Sequence, residues 1–417
     1  ASAVLECMGG GLICLKSSCF KNTIMNKKFM EHSLFLDRNI DSLSQAGIPH
    51  KKVIIITGVA GYIGSHAALR LLELGHVVVG IDNLSRGSSK ALRVLQQFEA
   101  FYFHQIDLGD IGSVTSVLKR YKNAKTVFHF AAIAFTGESV EFPGLYRANI
   151  TRNTQILVDA MVQNGIKELV YSSTCAVYGS PTTFPITEAT VTNPISPYGV
   201  SKLEAEKYIK KRASDGTLRA HILRYFNVVG AEERGRLGEN PRPELAKYGR
   251  LWTAVTSVLK QRQKCVILHD STLDTPDGTA IRDYIHVSDL VEAHLAVVKY
   301  GFINDVDIWN VGMGRGISTK EFVEAARQAT RKSIPVCLEQ RKLSHQPPKL
   351  FASPEKLMNK TNWSPSYLSI KNILSTAWNY AISADLAPED QDAACRTLCK
   401  TCATKHASEV FEYTQGE

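Results

Sequence analysis

Lys52 to Leu74 read KVIIITGVAGYIGSHAALRLLEL, and this stretch decides the fold. Val53 to Thr57 are a run of β-branched residues without a polar break, the pattern of a strand buried on both faces. Gly58, Gly61 and Gly64 follow at three-residue spacing and lead into a helical pattern. Glycines at such a turn let the chain reverse sharply and bring backbone N–H groups close to a phosphate. They also let the helix pack tightly on the strand, with its positive end facing the anion. A glycine triplet alone is weak evidence, and the context strengthens it. A second apolar strand, Val77 to Ile81, ends at Asp82, where a carboxylate would accept hydrogen bonds from a ribose diol. A non-phosphorylated adenosine ribose is thereby favoured, which means NAD over NADP.

From Lys52 onward strand and helix patterns alternate. Strands are expected near 53–57, 77–81, 101–106, 125–131 and 167–172, with helices near 62–75, 88–98, 110–121 and 143–164; a helix over 199–213 and a strand over 218–225 continue the series. This is the order of an α/β, Rossmann-type doubly wound parallel sheet with right-handed crossovers. Ligands of such sheets bind beyond the carboxyl ends of the strands, and Asp107, Phe130 to Ala132 and Ser172 to Thr174 all fall just after expected strands. After Gly230 the texture becomes charged and Gly/Pro-bearing, EERGRLGENPRPELAKYGR, which reads as the entry to a smaller mixed α/β lobe. That lobe is expected to hold helices near 250–262, 288–299, 318–331 and 369–382 and strands near 265–268 and 334–338. The division is therefore a poorly ordered extension over 1–50, a nucleotide-binding domain over 51–230 to which some later segments return, a substrate lobe over 231–383, and an acidic, Cys-bearing tail over 384–417.

The 417 residues suffice for one large domain or two of ordinary size. The formal charge of +9 is concentrated between the two ends of the chain, yet no Lys/Arg run of five occurs. Nucleic-acid binding is therefore not favoured, and a basic cleft suits any ligand with several phosphates equally well. No stretch approaches eighteen consecutive apolar residues, so no membrane-spanning helix is expected. Of nine cysteines, Cys175, Cys265 and Cys337 alone lie in the central part of the chain. That usage predicts reduced thiols in a reducing compartment, the cytoplasm, a Golgi address requiring an N-terminal anchor. Cys395, Cys399, Cys402 and His406 fall on one face of a helical pattern. A closed helical row cannot wrap a tetrahedral ion without a bend or a partner, so no metal is expected there.

Tyr198 and Lys202 stand at the start of an expected helix as Y-G-V-S-K, behind Pro197. Four-residue spacing puts phenol and ammonium on one helix face, where a cation can lower the phenol's pKa toward working pH. Ser172-Ser173-Thr174, after the fifth strand, offers a hydroxyl able to share a hydrogen bond with an oxygen that Tyr198 deprotonates.

The ordered set TGVAGYIGSH, IDNLSRG, HFAAIAFTGES, YSSTCAVYG, SPYGVSK, LRYFNVVGA and DGTAIRDYIHVSDL resembles the extended short-chain dehydrogenase/reductases, and among them the UDP-sugar 4-epimerases, from about Lys52 to Tyr380. IDNLSRG, FAAIAFTGES, SSTCAVYG and GRLGENPRPELAKYGR are most similar to the plant UDP-arabinose 4-epimerases; hexose-specific relatives usually carry Lys where this chain has Ala134. The resemblance implies that Gly58, Gly61, Tyr62, Ile63 and Gly64 hold the pyrophosphate of NAD, Asp82 and Asn83 its adenosine ribose, and Asp107 and Leu108 the adenine. It implies Phe130, Ala131, Ala132 and Asn149 on the path to the nicotinamide, with Ser172, Tyr225 and Phe226 near that end. Thr174, Tyr198 and Lys202 are the implied catalytic set, and Asn227, Arg282 and Arg341 the implied grip on UDP. It further implies a homodimer paired through helices 110–121 and 143–164.

Two departures and one alternative complete the reading. Related dehydratases carry Asp-Glu after the catalytic Thr, whereas this chain has Cys175-Ala176, which disfavours elimination. The family's Arg-x-Gly-Asp is replaced by Gln340-Arg341-Lys342-Leu343, without the carboxylate that would bond the uridine ribose. The alternative to an epimerase is therefore an NAD-binding sensor or scaffold of the same fold.

Overall fold

All five residues of β1 (Val53–Thr57) are buried, as an unbroken β-branched run requires. The computed structural model describes residues 52–384 apart from 242, 270–272 and 340–346. Strand β1 pairs in parallel with β2 (Val77–Asp82) on one side, Val53 opposite Val77, and with β4 (Thr126–His129) on the other, Ile54 opposite Thr126. With β3 (Phe101–Gln105), β5 (Glu168–Thr174), β6 (Arg219–Tyr225) and an outer strand Val306–Val311, these make a seven-stranded parallel sheet. Its order is the 306–311 strand, β6, β5, β4, β1, β2, β3. The chain runs outward from β1 to β3 and then returns to β4 on the other side of β1. The crevice at that reversal is where such a sheet takes a ligand.

The seventh strand was not anticipated, because its alternating sequence VDIWNV lies in a stretch assigned to the smaller lobe. The helix expected near 288–299 is likewise relocated. Val287–Tyr300 packs Leu290, Val291 and Val297 into the same core as Ile54, Val78 and Leu223 of the large sheet. Periodicity shows that a helix has an apolar face but not which surface that face covers. The helix expected over 143–164 is divided into Pro143–Tyr146, a π-helical turn at Arg147–Arg152, and Asn153–Gln163. Such turns place one extra residue in the helix and re-aim side chains.

A second core joins helices Leu251–Leu259, Thr319–Thr330 and Ile370–Ser383 through Trp252, Val255, Phe322, Leu374 and Trp378. Strands Val266–His269 and Val336–Glu339 pair in parallel beside it. There the expectation of reduced thiols is corrected: Cys265 and Cys337 form a disulfide across 72 residues of sequence, leaving Cys175 as a buried free thiol. The count of cysteines could not reveal that Cys265 precedes one strand and Cys337 lies in its neighbour. The Cys395, Cys399, Cys402 and His406 row lies outside the described residues, and no metal-binding cluster occurs among the described ones.

Candidate active site

The turn after β1 is built for close approach. Gly58 has a φ of +70°, and a Cβ there would stand 2.6 Å from Ala131 N; a Cβ on Gly64 would stand 2.1 Å from Gly58 O. Helix α1 (Tyr62–Glu73) begins at Gly61 with no side-chain cap and no acidic residue in its first turn, which leaves its positive end for an anion. The Tyr62 hydroxyl donates to Gly230 O at 2.6 Å and so fastens this helix to the segment leaving the sheet. This tight turn, in which any side chain on Gly58 or Gly64 would collide with backbone, fits the pyrophosphate of a dinucleotide.

Asp82 ends β2 as expected, but its carboxylate also braces the glycine turn. Oδ2 accepts from Ala60 N at 3.0 Å and Oδ1 from Leu84 N at 2.8 Å. Burial pushes the carboxyl's pKa up, against the pull of these two bonds. Asn83 Nδ2 donates to Asp107 Oδ2 at 2.5 Å, which joins the loop after β2 to the loop after β3, where Leu108 is buried. Beyond β4, Thr57 Oγ1 meets His129 Nδ1 at 2.7 Å and Ala131 N donates to the same Oγ1 at 3.4 Å. Asn149, on the π-helical turn, accepts from Ile133 N at 2.9 Å and shapes the loop that carries Phe130 and Ala132.

Ser196 caps the helix Pro197–Ser214, accepting from Gly199 N at 3.2 Å, and fixes the residues that follow. Tyr198 and Lys202 are both buried in its first turns. Beneath them Glu206 receives Ser173 Oγ at 2.5 Å and forms a buried ion pair with Arg224, Nη2 to Oε2 at 2.6 Å, which binds the helix to β5 and β6. Lys202 Nζ donates to Ser172 O at 2.6 Å and lies 4.9 Å from the Tyr171 ring centre. Burial lowers the amine's pKa to about 7, opposed by the Glu206 anion. The expected depression of the Tyr198 pKa is not found. Burial raises it, the neighbouring Tyr225 adds to the rise, and the Thr174 hydroxyl and the Arg250 charge pull it back. The reason is geometric: the ammonium is turned onto a backbone carbonyl. Ser172 Oγ and the Tyr225 hydroxyl are in close hydrogen-bond contact. Cys175, next to Thr174, is a thiol that burial pushes up to about 12, so it enters no proton transfer near neutrality.

One cavity of about 600 Å³ gathers these groups. Gly58, Gly61, Tyr62, Ile63, Gly64, Phe130, Ala132, Ser172, Thr174, Tyr198, Lys202, Tyr225, Phe226, Asn227 and Arg282 line it; Asp82, Asn83, Asp107, Leu108, Ala131 and Asn149 are not among its lining residues. Arg282 Nη1 donates to Ile281 O at 2.8 Å and Pro348 O at 3.2 Å, and among the described residues no carboxylate acts on its charge. Arg341 lies outside the described residues. The sequence reading missed Arg250, which lines the cavity paired with Glu239 and whose charge favours ionisation of Tyr62, Tyr198 and Tyr225. The available signal was a lone Arg at the start of the apolar helix Leu251–Leu259.

A doubly wound sheet, a glycine cradle at its switch point and a buried Tyr–Lys pair define an extended short-chain dehydrogenase/reductase. Residues 54–312 match the NAD dependent epimerase/dehydratase family, and the chain belongs to it. It is similar to UDP-arabinose 4-epimerase 1 of Arabidopsis thaliana, with 41% identity over 347 residues that cover 82% of this chain and 81% of the relative. It is also similar to the UDP-glucose 4-epimerase of Halalkalibacterium halodurans, with 39% identity over 329 residues, 78% of this chain and 95% of that one. Among solved structures it resembles the UDP-glucose 4-epimerase from Bifidobacterium longum in complex with NAD+ and UDP, with a TM-score of 0.74 and 32% identity over 79% of this chain and 98% of that one.

Proposed function

We propose that this protein is an NAD-dependent 4-epimerase of UDP-sugars that works through a 4-keto sugar. The observation that carries the reading is the convergence of the Gly58–Gly64 turn, Thr174, Tyr198, Lys202 and Arg282 on one cavity. Bound NAD supplies the acceptor that takes a hydride from C4 and gives it back. Gly58, Gly61, Tyr62, Ile63 and Gly64 hold its pyrophosphate, and Asp82, Asn83, Asp107 and Leu108 its adenosine. Tyr198 removes the proton of the sugar 4-hydroxyl as C4 becomes a ketone, while Thr174 shares a hydrogen bond with the same oxygen. The Arg250 charge favours the phenolate, while Lys202 stays anchored on the Ser172 carbonyl. The UDP end stays on Asn227, Arg282 and Arg341 while the keto sugar turns over, and Tyr198 returns the proton to the oxygen of the inverted carbon.

The relatives support UDP-arabinose/UDP-xylose as the first substrate pair and UDP-glucose/UDP-galactose as the second. Ala134 on the cavity wall, where hexose-specific relatives usually have Lys, agrees with that order. A homodimer is proposed through helices Ile111–Arg120 and Asn153–Gln163, which pack side by side and leave Ile111 57% exposed. Among the described residues no helix is long and apolar enough to cross a membrane, and the disulfide supports an oxidising compartment over the cytoplasm expected from cysteine count. Incubating the NAD-loaded protein with UDP-xylose, UDP-glucose and UDP-N-acetylglucosamine, and separating products by chromatography, tests the reading. A 4-epimer of the first is expected; no product from any of them would leave only an NAD-binding sensor or scaffold.

A further inference from the structure

A hydrogen-bonded path runs from the loop after β2 to Tyr146, whose ring packs edge-on against Tyr198. Arg86 Nη2 donates to Glu138 Oε1 at 2.6 Å. The other carboxylate oxygen, Oε2, accepts from the Tyr146 hydroxyl at 2.8 Å. That hydroxyl also accepts from Phe135 N at 3.1 Å and lies 2.8 Å from Phe135 O, so its single proton is shared between Glu138 and the backbone carbonyl. The Tyr146 ring meets the Tyr198 ring edge-on, centres 6.2 Å apart at 89°. Tyr146 is fully enclosed and Glu138 is 4% exposed, so neither geometry is maintained by solvent.

This arrangement is more than packing. A buried carboxylate is costly unless paired and hydrogen-bonded, and Glu138 sits in the short helix Thr136–Glu141, directly after the cavity-lining residues Ala134 and Phe135. Arg86 belongs to the loop that follows Asp82 and holds Asn83, and its Nη1 is buried with no hydrogen-bond partner among the described residues. One end of the path therefore meets the loop assigned to the adenosine ribose, and the other meets the base.

We propose that Arg86, Glu138 and Tyr146 are positioning residues for the epimerase reaction, a role that rests on the function proposed above. Glu138 fixes Tyr146, Tyr146 seats the Tyr198 ring and the Phe135 backbone, and Arg86 holds Glu138 to the ribose loop. Tyr146→Phe and Glu138→Ala are expected to lower kcat roughly tenfold to a hundredfold, the size of effect a displaced catalytic group produces. KM and the content of bound NAD stay within about twofold, because no residue of the path grips the substrate. Glu138→Gln, whose single amide oxygen can still accept from Tyr146 but whose NH2 then faces the Arg86 donor, is expected to recover only part of the turnover lost in Glu138→Ala. Tyr146→Phe combined with Arg86→Gln is expected to lose less than the two single losses multiplied, as members of one path should. A merely structural path would lower the melting temperature of each variant while leaving kcat per NAD-loaded molecule unchanged, and that result overturns the proposal. A crystal structure of Glu138→Ala reads the same point without turnover. Displacement of the Tyr198 ring from its edge-on seat supports the proposal, and an unmoved ring overturns it whether or not any UDP-sugar is epimerised.

Discussion

Tyr198 is asked to lose a proton in a place that resists the resulting charge. Burial raises its pKa, and the Arg250 charge and the Thr174 hydroxyl oppose the rise. Lys202 titrates near 7 because it is desolvated, so its charged form dominates below that pH and fades above it. The hydroxyl, rather than the ring, is thus the indispensable part. Tyr198→Phe should reduce turnover by at least about a hundredfold, the usual worth of a positioned base. Bound dinucleotide should remain, since the Gly58–Gly64 cradle is untouched. Turnover and released dinucleotide, assayed on one preparation, check both halves; near-normal activity would remove Tyr198 as the base. The Tyr–Lys pair was legible in sequence because a helix repeats every 3.6 residues and Pro197 marks its start. Arg250 was not legible, because its counter-ion Glu239 and the phenols it acts on come from segments that no periodicity connects.

Elements whose sequence pattern is unambiguous fell where they were expected. β1 occupies Val53–Thr57 because a wholly β-branched run has no helical face to offer, and the Pro197 helix begins where Ser196 can cap it. The strand at 306–311 and the π-helical turn at 147–152 escaped, since the first is specified by pairing with β6 and the second by contacts with its neighbours. The Cys265–Cys337 link belongs to the same class of long-range fact. It closes 72 residues between the strands that carry Ile267 and Leu338, and loop-closure entropy alone assigns such a closure up to about 4 kcal/mol. Reductant should therefore lower the melting temperature of the wild-type protein and leave that of a Cys265→Ser/Cys337→Ser variant, already lowered, where it is. A wild-type melt indifferent to reductant would show that this bond contributes nothing to stability.

The molecule as a whole is buried around neutral histidines, and this sets its response to acid. His129 and His286 are held down to about 3 and His66, His221 and His294 to about 4, in every case chiefly by burial, and none of the five is more than 4% exposed. His294 is packed among Phe128, Phe130 and Tyr225; its Nδ1 bonds Leu290 O at 2.8 Å, and its Nε2 has no hydrogen-bond partner among the described residues. In the unfolded chain the same rings titrate near 6.5. Below that pH the unfolded state binds protons that the folded state refuses, so stability falls as pH drops through 6.5 and levels off only near 3. One pH unit below 6.5, each enclosed ring costs about 1.4 kcal/mol, several kcal/mol together. Asp283 works in the opposite direction. Burial raises its carboxyl to about 6 despite bonds from Met313 N, Gly314 N and Ala352 N, so the fold gains relative stability as pH falls from 6 toward the ordinary carboxylate range. Asp82 and Asp289 shift the same way. Because the histidine loss begins at higher pH and involves more groups, it dominates between pH 6.5 and 5. The melting temperature should accordingly drop steeply over that interval, and His294→Leu, which removes one such ring together with its Nδ1 bond to Leu290 O, should make the drop shallower. A melting temperature flat from pH 7 to 5 would mean that these rings are protonated or hydrated in the folded state and that the core is not built on neutral histidines.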